Sequence, residues 1–313
     1  MTTAQLLNSS TPQLPDAPRY GPVRLPNVLQ GKAALITGGT KGLGLAIGLA
    51  FGREGARVYL THKWGSADLD AVRRRFAEAG APEPRVLDAD ASSDEDTAAV
   101  LQAIRKEQDA IEVFVSNVSF AQVITGLDMY KKRSFLSSLS YSAWPMIGTM
   151  QKIREVFGRY PRYVLATSCD GAETYYPGYD FVAAAKTVME TFCKYLTTHL
   201  FGQDVRINVL RSRPVSTESL VATFGEGFEP FLRRYHGDGY FISLDEVGDA
   251  ALALCSGLLD AVSGQVILLD RGVAFSDNLM RLYEQRERRG LPLAADAART
   301  TEKSGGKGDG DQG

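Results

Sequence analysis

The chain has 313 residues, with 35 Lys and Arg against 37 Asp and Glu and a net charge of -2, so it has no basic surplus with which to hold a nucleic acid. At 44% hydrophobic and 23% charged residues it has the balance of a globular chain that buries one sizeable core, which excludes wholesale disorder. Its apolar runs fall far short of the ~20 residues that span a bilayer, and its three scattered cysteines and three scattered histidines make neither a disulfide framework nor a metal site; a cytoplasmic protein without membrane contact is expected.

Residues 1–30 carry Pro12, Pro15, Pro18, Pro22 and Pro26 among polar residues, which breaks any helical or strand period and reads as an extended arm. From there apolar runs alternate with amphipathic stretches. Strands are predicted at 33–37, 57–61, 85–88, 113–116, 163–167, 205–210 and 266–270. Helices are predicted at 42–53, 67–79, 94–107, 132–157, 181–200, 217–235 and 245–257. Strict rotation of strand and helix argues an α/β fold, a doubly wound parallel sheet of Rossmann type, in one domain over 31–275. Residues 276–313 read as a helix end followed by a disordered tail, because Gly, Ser, Lys and Asp there cannot offset their ordering entropy.

The first strand runs into Thr37-Gly38-Gly39-Thr40-Lys41-Gly42-Leu43-Gly44 and then an apolar helix. Glycines at this spacing let the backbone turn and let a pyrophosphate rest on the unpaired N–H groups of the helix N-terminus. Gly38, Thr40, Lys41, Gly42, Leu43 and Gly44 are therefore candidate dinucleotide ligands. The second strand ends in Thr61-His62-Lys63, without the carboxylate that would hold free ribose hydroxyls. His62 and Lys63, with Lys41 nearby, point to a 2′-phosphate and hence to NADPH. Asp90 and Ala91, after the third strand, stand where the adenine is expected.

The segment Ser168-Cys169-Asp170, then Tyr179 and Lys186, carries the next signal: a tyrosine seven residues ahead of a lysine at the head of a long helix. Over 31–275 the chain resembles the short-chain dehydrogenase/reductase superfamily, whose usual pattern is a serine followed by Tyr-x-x-x-Lys. Here Val182 stands four residues before Lys186 and Cys169 fills the usual serine position. The Tyr-x6-Lys spacing resembles instead the enoyl-acyl-carrier-protein reductase branch. So do the segments 116–121, 139–142 and Pro214-Val215-Ser216-Thr217.

That resemblance implies Tyr179 and Lys186 as the catalytic pair, with Lys186 also on the nicotinamide ribose and Asn117, Val215 and Thr217 on the cofactor. It implies an acyl thioester as substrate, carried by coenzyme A or a carrier protein, and assembly as a dimer or tetramer through the helices at 132–157 and 181–200. The spacing has a rationale. Hydride delivered to Cβ of an enoyl thioester leaves the charge-gaining oxygen two carbon–carbon bonds further away, at ~1.5 Å each. Moving the tyrosine three residues along a helix shifts its anchor by ~4.5 Å.

Some residues depart from the pattern. Arg211, Arg213 and Arg271 stand where small residues or glycine are usual, and they suggest a specialised substrate. Arg211 and Arg213 read as contacts to a phosphate or an acidic carrier group, or as partners of Glu218. Residues 217–242 mix Phe224, Phe228, Phe231, Tyr235, Tyr240 and Phe241 with glycines, the composition of an apolar lid. Two other readings stay open: a ketoreductase acting on a polyketide-like carbonyl, and an inactive NADPH-binding scaffold or sensor.

Overall fold

The computed structural model describes residue 25, residues 27–63, 67–120 and 122–275, and residues 280, 283 and 286. The expected arm and tail fall almost wholly outside the described residues, as does Ala121. Among the described residues, seven strands make one parallel sheet: β1 (Ala33–Ile36), β2 (Arg57–His62), β3 (Arg85–Asp88), β4 (Val113–Ser116), β5 (Tyr163–Cys169), β6 (Arg206–Ser212) and β7 (Val266–Leu269). Their spatial order is β3-β2-β1-β4-β5-β6-β7. The chain reverses its direction of winding between β1 and β4, and the crevice at the strand ends there is where open sheets of this type hold ligands.

Strand side chains alternate between two cores. Ala34 and Ile36 of β1 face one cluster with Leu49, Phe51, Phe76 and Val247, while Ala33 and Leu35 face the other with Leu101, Phe114, Met146 and Met189. Both faces are covered, which is why β1 and β4 read as unbroken apolar runs. The helices α1 (Gly42–Arg53), α2 (Leu69–Glu78) and α9 (Leu244–Cys255) cover the first face. Those numbered α3 (Asp94–Arg105), α5 (Trp144–Phe157) and α6 (Asp180–His199) cover the second. Gly248 brings α9 against α1: a Cβ there would lie 2.9 Å from the Ala46 carbonyl oxygen. The capping box of Ser243 and Glu246 starts α9.

Three expectations need correction. The helix predicted over 132–157 is two, α4 (Lys132–Ser142) and α5, broken at Ala143 where Pro145 enters the first turn and cannot donate an N–H. The helix predicted over 217–235 is also two, α7 (Glu218–Phe224) and α8 (Phe228–His236), separated at Gly225, whose φ of +85° no helix accepts. The end of the expected arm is not extended. Asn27 to Gln30 form a turn that inserts Leu29, 2% exposed, into the first core and bonds to Glu54.

No helix among the described residues is long and apolar enough to cross a membrane.

Candidate functional site

The crevice is walled on one side by the glycine loop. Gly38 and Gly42 have φ of +62° and +53°, which reverse the chain between β1 and α1. A Cβ on Gly44 would lie 2.5 Å from Gly38 O and 2.7 Å from Asn117 Nδ2, so the loop closes only on glycine. No side chain caps α1 at Lys41, whereas Asp68 and Ser93 cap α2 and α3. The first donors of α1 are thus left for an anion, and the residues present fit a dinucleotide pyrophosphate. Thr40 is buried in the loop wall, and Leu43 is half-buried against the first core.

Asn117 does not face the loop as a free amide. Its Nδ2 donates to Thr37 O at 3.1 Å and Gly38 O at 3.0 Å, and its backbone N–H donates to Thr37 Oγ1 at 3.0 Å. Its Oδ1 accepts from Thr167 Oγ1 at 3.2 Å, and Lys186 Nζ donates to Thr167 O at 2.7 Å. One hydrogen-bonded chain therefore runs from the glycine loop through β4 and β5 to Lys186. Thr217 caps α7 and lies beside the loop, 3.8 Å from a Cβ placed on Gly42, while Val215 is buried in a bridge to Ile242.

At the far end, Lys63 is not a lone cation. Its Nζ is paired with Asp90, and the pair lies beside Tyr141, whose hydroxyl donates to Asp90 at 3.3 Å. The hydrogen bond and the charge of Asp90 raise the Lys63 pKa above its ordinary value. Burial pushes the Asp90 carboxyl upward, but bonds from Lys63 and Ser92 outweigh it and hold it below the usual range. A groove of about 580 Å³ begins at these two residues and runs past Ala89 and Asp96 along α3. His62 leaves a buried Nδ1 without a hydrogen-bond partner among the described residues, and Ala91 lies in the turn after Asp90.

The other wall is built from the exits of β5 and β6. Tyr179 stands at the N-cap of α6, its ring 6.0 Å from Tyr176 and 5.8 Å from Phe224 of α7, so the segment 217–242 meets the phenol. Its hydroxyl lies beside the Cys169 thiol, and the Lys186 charge acts on the same thiol. Burial, with Cys169 and Asp170 beside it, holds the phenol well above its usual pKa and keeps it protonated. Burial also lowers Lys186 to about 8, against the opposing pull of Cys169 and Glu190. Cys169 is itself pushed up by burial, so it is a neutral thiol and not a ready nucleophile.

The extra arginines contact neither an exposed phosphate site nor Glu218. Arg211 makes a two-pronged pair with the buried Glu190, Nε to Oε1 at 2.9 Å, and reaches Glu173 at 2.6 Å. Glu190 also accepts from Ser168 Oγ at 2.6 Å. Arg213 pairs with Asp170 at 3.4 Å and donates to Tyr240 at 2.9 Å. Arg271, in the left-handed region at φ +51°, forks onto Glu246. Glu218 meets Lys41 instead, at 3.6 Å and exposed.

Sequence reasoning missed Glu190, Asp170 and Thr167. Glu190 had a signal, since it lies four residues after Lys186 and so on the same helical face. Nothing in the local pattern marks the others. Ser142, singled out in the 139–142 segment, holds the strand exit after β4 by accepting from Phe120 N at 3.0 Å.

Over most of its length the chain is similar to known proteins. The family model described as Enoyl-(Acyl carrier protein) reductase matches residues 38–274. An enoyl-(acyl-carrier-protein) reductase (NADH) FabI of Aquifex aeolicus is 27% identical over 253 residues, covering 78% of this chain and 92% of the relative. Its namesake from Escherichia coli is 25% identical over 260 residues, covering 79% and 96%. The crystal structure of the Aquifex aeolicus enzyme superposes with a TM-score of 0.69 at 25% identity, covering 80% of this chain and 98% of that one. The chain therefore belongs to the enoyl-(acyl carrier protein) reductase family, on the short-chain dehydrogenase/reductase fold.

Proposed function

We propose that this protein reduces the C=C bond of an enoyl thioester held on a carrier protein or coenzyme A, with a nicotinamide cofactor in the crevice. The observation that carries the reading is a half-buried Tyr179 phenol, held above its usual pKa, at the head of α6, two helical turns ahead of Lys186, with Val182 at the position of the ketone-reductase tyrosine. When bound, the dihydronicotinamide would supply the hydride to Cβ, and Cα takes its proton from solvent. Tyr179 donates its hydrogen bond to the thioester oxygen as charge develops there, and the Lys186 ammonium stabilises that charge and binds the ribose. The loop donors of α1 hold the pyrophosphate, and the ring of Phe224 excludes water from the phenol.

The test is to follow reduced-nicotinamide absorbance with a crotonyl thioester and, separately, a β-keto thioester. Oxidation with the first alone is the expected result. Oxidation with the second alone would move the assignment to a ketoreductase.

For the cofactor we propose NADPH. The end of β2 lacks a carboxylate, and Lys41 and Lys63 lie at the ends of the loop and the strand. Asp90 supports the opposite choice, because its carboxylate already neutralises Lys63, and the relatives named above are NADH enzymes. Lys63→Ala decides it. A loss of kcat/KM with NADPH and none with NADH supports the 2′-phosphate role; equal effects on both would leave Lys63 as a brace for Asp90.

We also propose that two copies associate through α4, α5 and α6, where Leu136, Trp144 and Tyr195 are 49%, 47% and 65% exposed. Sedimentation of the purified chain tests this, a dimer or tetramer being expected and a monomer contrary.

A further inference from the structure

Arg213 stands directly after β6, and its side chain is 6% exposed, as is that of Asp170. Burying two charges is costly unless each is satisfied, and here one ion pair is shared by three segments. Asp170 follows β5 and accepts from the Tyr176 hydroxyl at 3.0 and 3.2 Å. Arg213 follows β6 and donates to Tyr240, over whose ring it also lies at 5.4 Å. Tyr240 closes the lid segment, and Tyr176 packs edge-on against Tyr179. The loop 170–178 has no regular structure of its own and contains Gly171, where a Cβ would lie 3.0 Å from the Tyr179 ring. Turn bonds to Asp170 O and Tyr176 O shape the loop, and the Arg213–Asp170 pair ties it to the exit of β6.

We propose that Arg213 is a positioning residue which, through Asp170 and Tyr176, fixes the Tyr179 phenol and, through Tyr240, ties that position to the lid. The inference rests on the reading of Tyr179 as the phenol that hydrogen-bonds the thioester oxygen. Lid and phenol are then one mechanical unit, and a displacement of the lid end is felt at the phenol.

The experiment measures the loop without turnover. The full chain, loaded with NADPH, is alkylated with iodoacetamide, and the rates at Cys169, Cys193 and Cys255 are followed by peptide mass spectrometry. Cys169 touches the phenol, whereas Cys193 and Cys255 lie in the two cores. Tyr176→Phe, which keeps the ring and loses the bond to Asp170, is expected to speed labelling of Cys169 by roughly tenfold through local opening. Labelling at Cys193 and Cys255 should not change. Arg213→Met should do the same more strongly, and Arg213→Lys should recover part of the protection. Enoyl turnover is read in parallel, with a fall in kcat expected at unchanged cofactor Kd.

Acceleration at all three cysteines, or at none, overturns the proposal. If Arg213→Met does not fold, Tyr176→Phe alone decides. Absence of enoyl turnover in the unmodified protein would count against the assigned reaction and leave the labelling result standing.

Discussion

At the glycine loop, backbone meets backbone: a methyl on Gly44 would stand 2.5 Å from Gly38 O. At the exits of β5 and β6 the contacts are instead between charged side chains, Arg211 with Glu190 and Arg213 with Asp170. The first wall is set by sterics and by donors that point the same way whatever the pH. The second depends on ionisation, and removing one partner leaves a buried charge. A site built by backbone suits any dinucleotide of the class, whereas a site built by paired side chains can be altered one residue at a time. The chain of Asn117, Thr167 and Lys186 joins the two walls.

The strongest test of that contrast is Tyr179→Phe. It should lower kcat by about 10²- to 10⁴-fold, the range for losing a positioned acid. Cofactor affinity, measured by fluorescence titration, should hardly move; parallel loss of both would mean that the walls are not separable.

Arg211→Met should come next, because it leaves the buried Glu190 carboxylate without its guanidinium partner. A loss of about 3–5 kcal/mol in urea unfolding is expected. Adding Glu190→Gln should restore part of it, and a double variant as unstable as the single would argue against the pair.

Gly44→Ala sharpens the comparison from the other side. Overpacking of about 1–3 kcal/mol should appear as a roughly ten- to hundredfold weaker cofactor, with Cys169 reactivity unaltered.

The smallest effect is in pH. Lys186 is held at about 8, so kcat/KM should fall as pH rises through that value and the ammonium is lost. Glu190→Gln removes a charge that favours the ammonium, and the falling limb should move to lower pH; movement to higher pH would contradict the assignment. Stability follows the opposite sense. Because the folded pKa lies below the ordinary 10.5, Lys186 opposes folding below pH 8, and that opposition is relieved between about 8 and 10.5.

Several features were legible from local pattern. Apolar runs located all seven strands to within two residues at either end, because a strand covered on both faces must be apolar throughout. The glycine loop was equally clear, since the turn, the helix start and the anion donors all come from adjacent residues. The breaks at Ala143 and Gly225 were misread, although Pro145 and a pair of glycines mark them. A continuous amphipathic pattern outweighed one proline and two glycines. Lys63 was read as a free cation because Asp90, its partner, reaches it only through the alignment of β2 with β3.

By itself the sequence determined a doubly wound sheet with a dinucleotide loop at its first turn and a tyrosine and lysine on one helix. Each depends on side-chain period and on spacing over a few residues, and neither changes with the rest of the fold. The tertiary structure alone decided which charges are free and which are paired. Lys63, Arg211 and Arg213 meet carboxylates that lie on other strands, loops or helices, and those meetings follow from where β3, β5 and β6 end in the sheet. Buried ion pairs form between segments, so their partners are settled only when the segments pack.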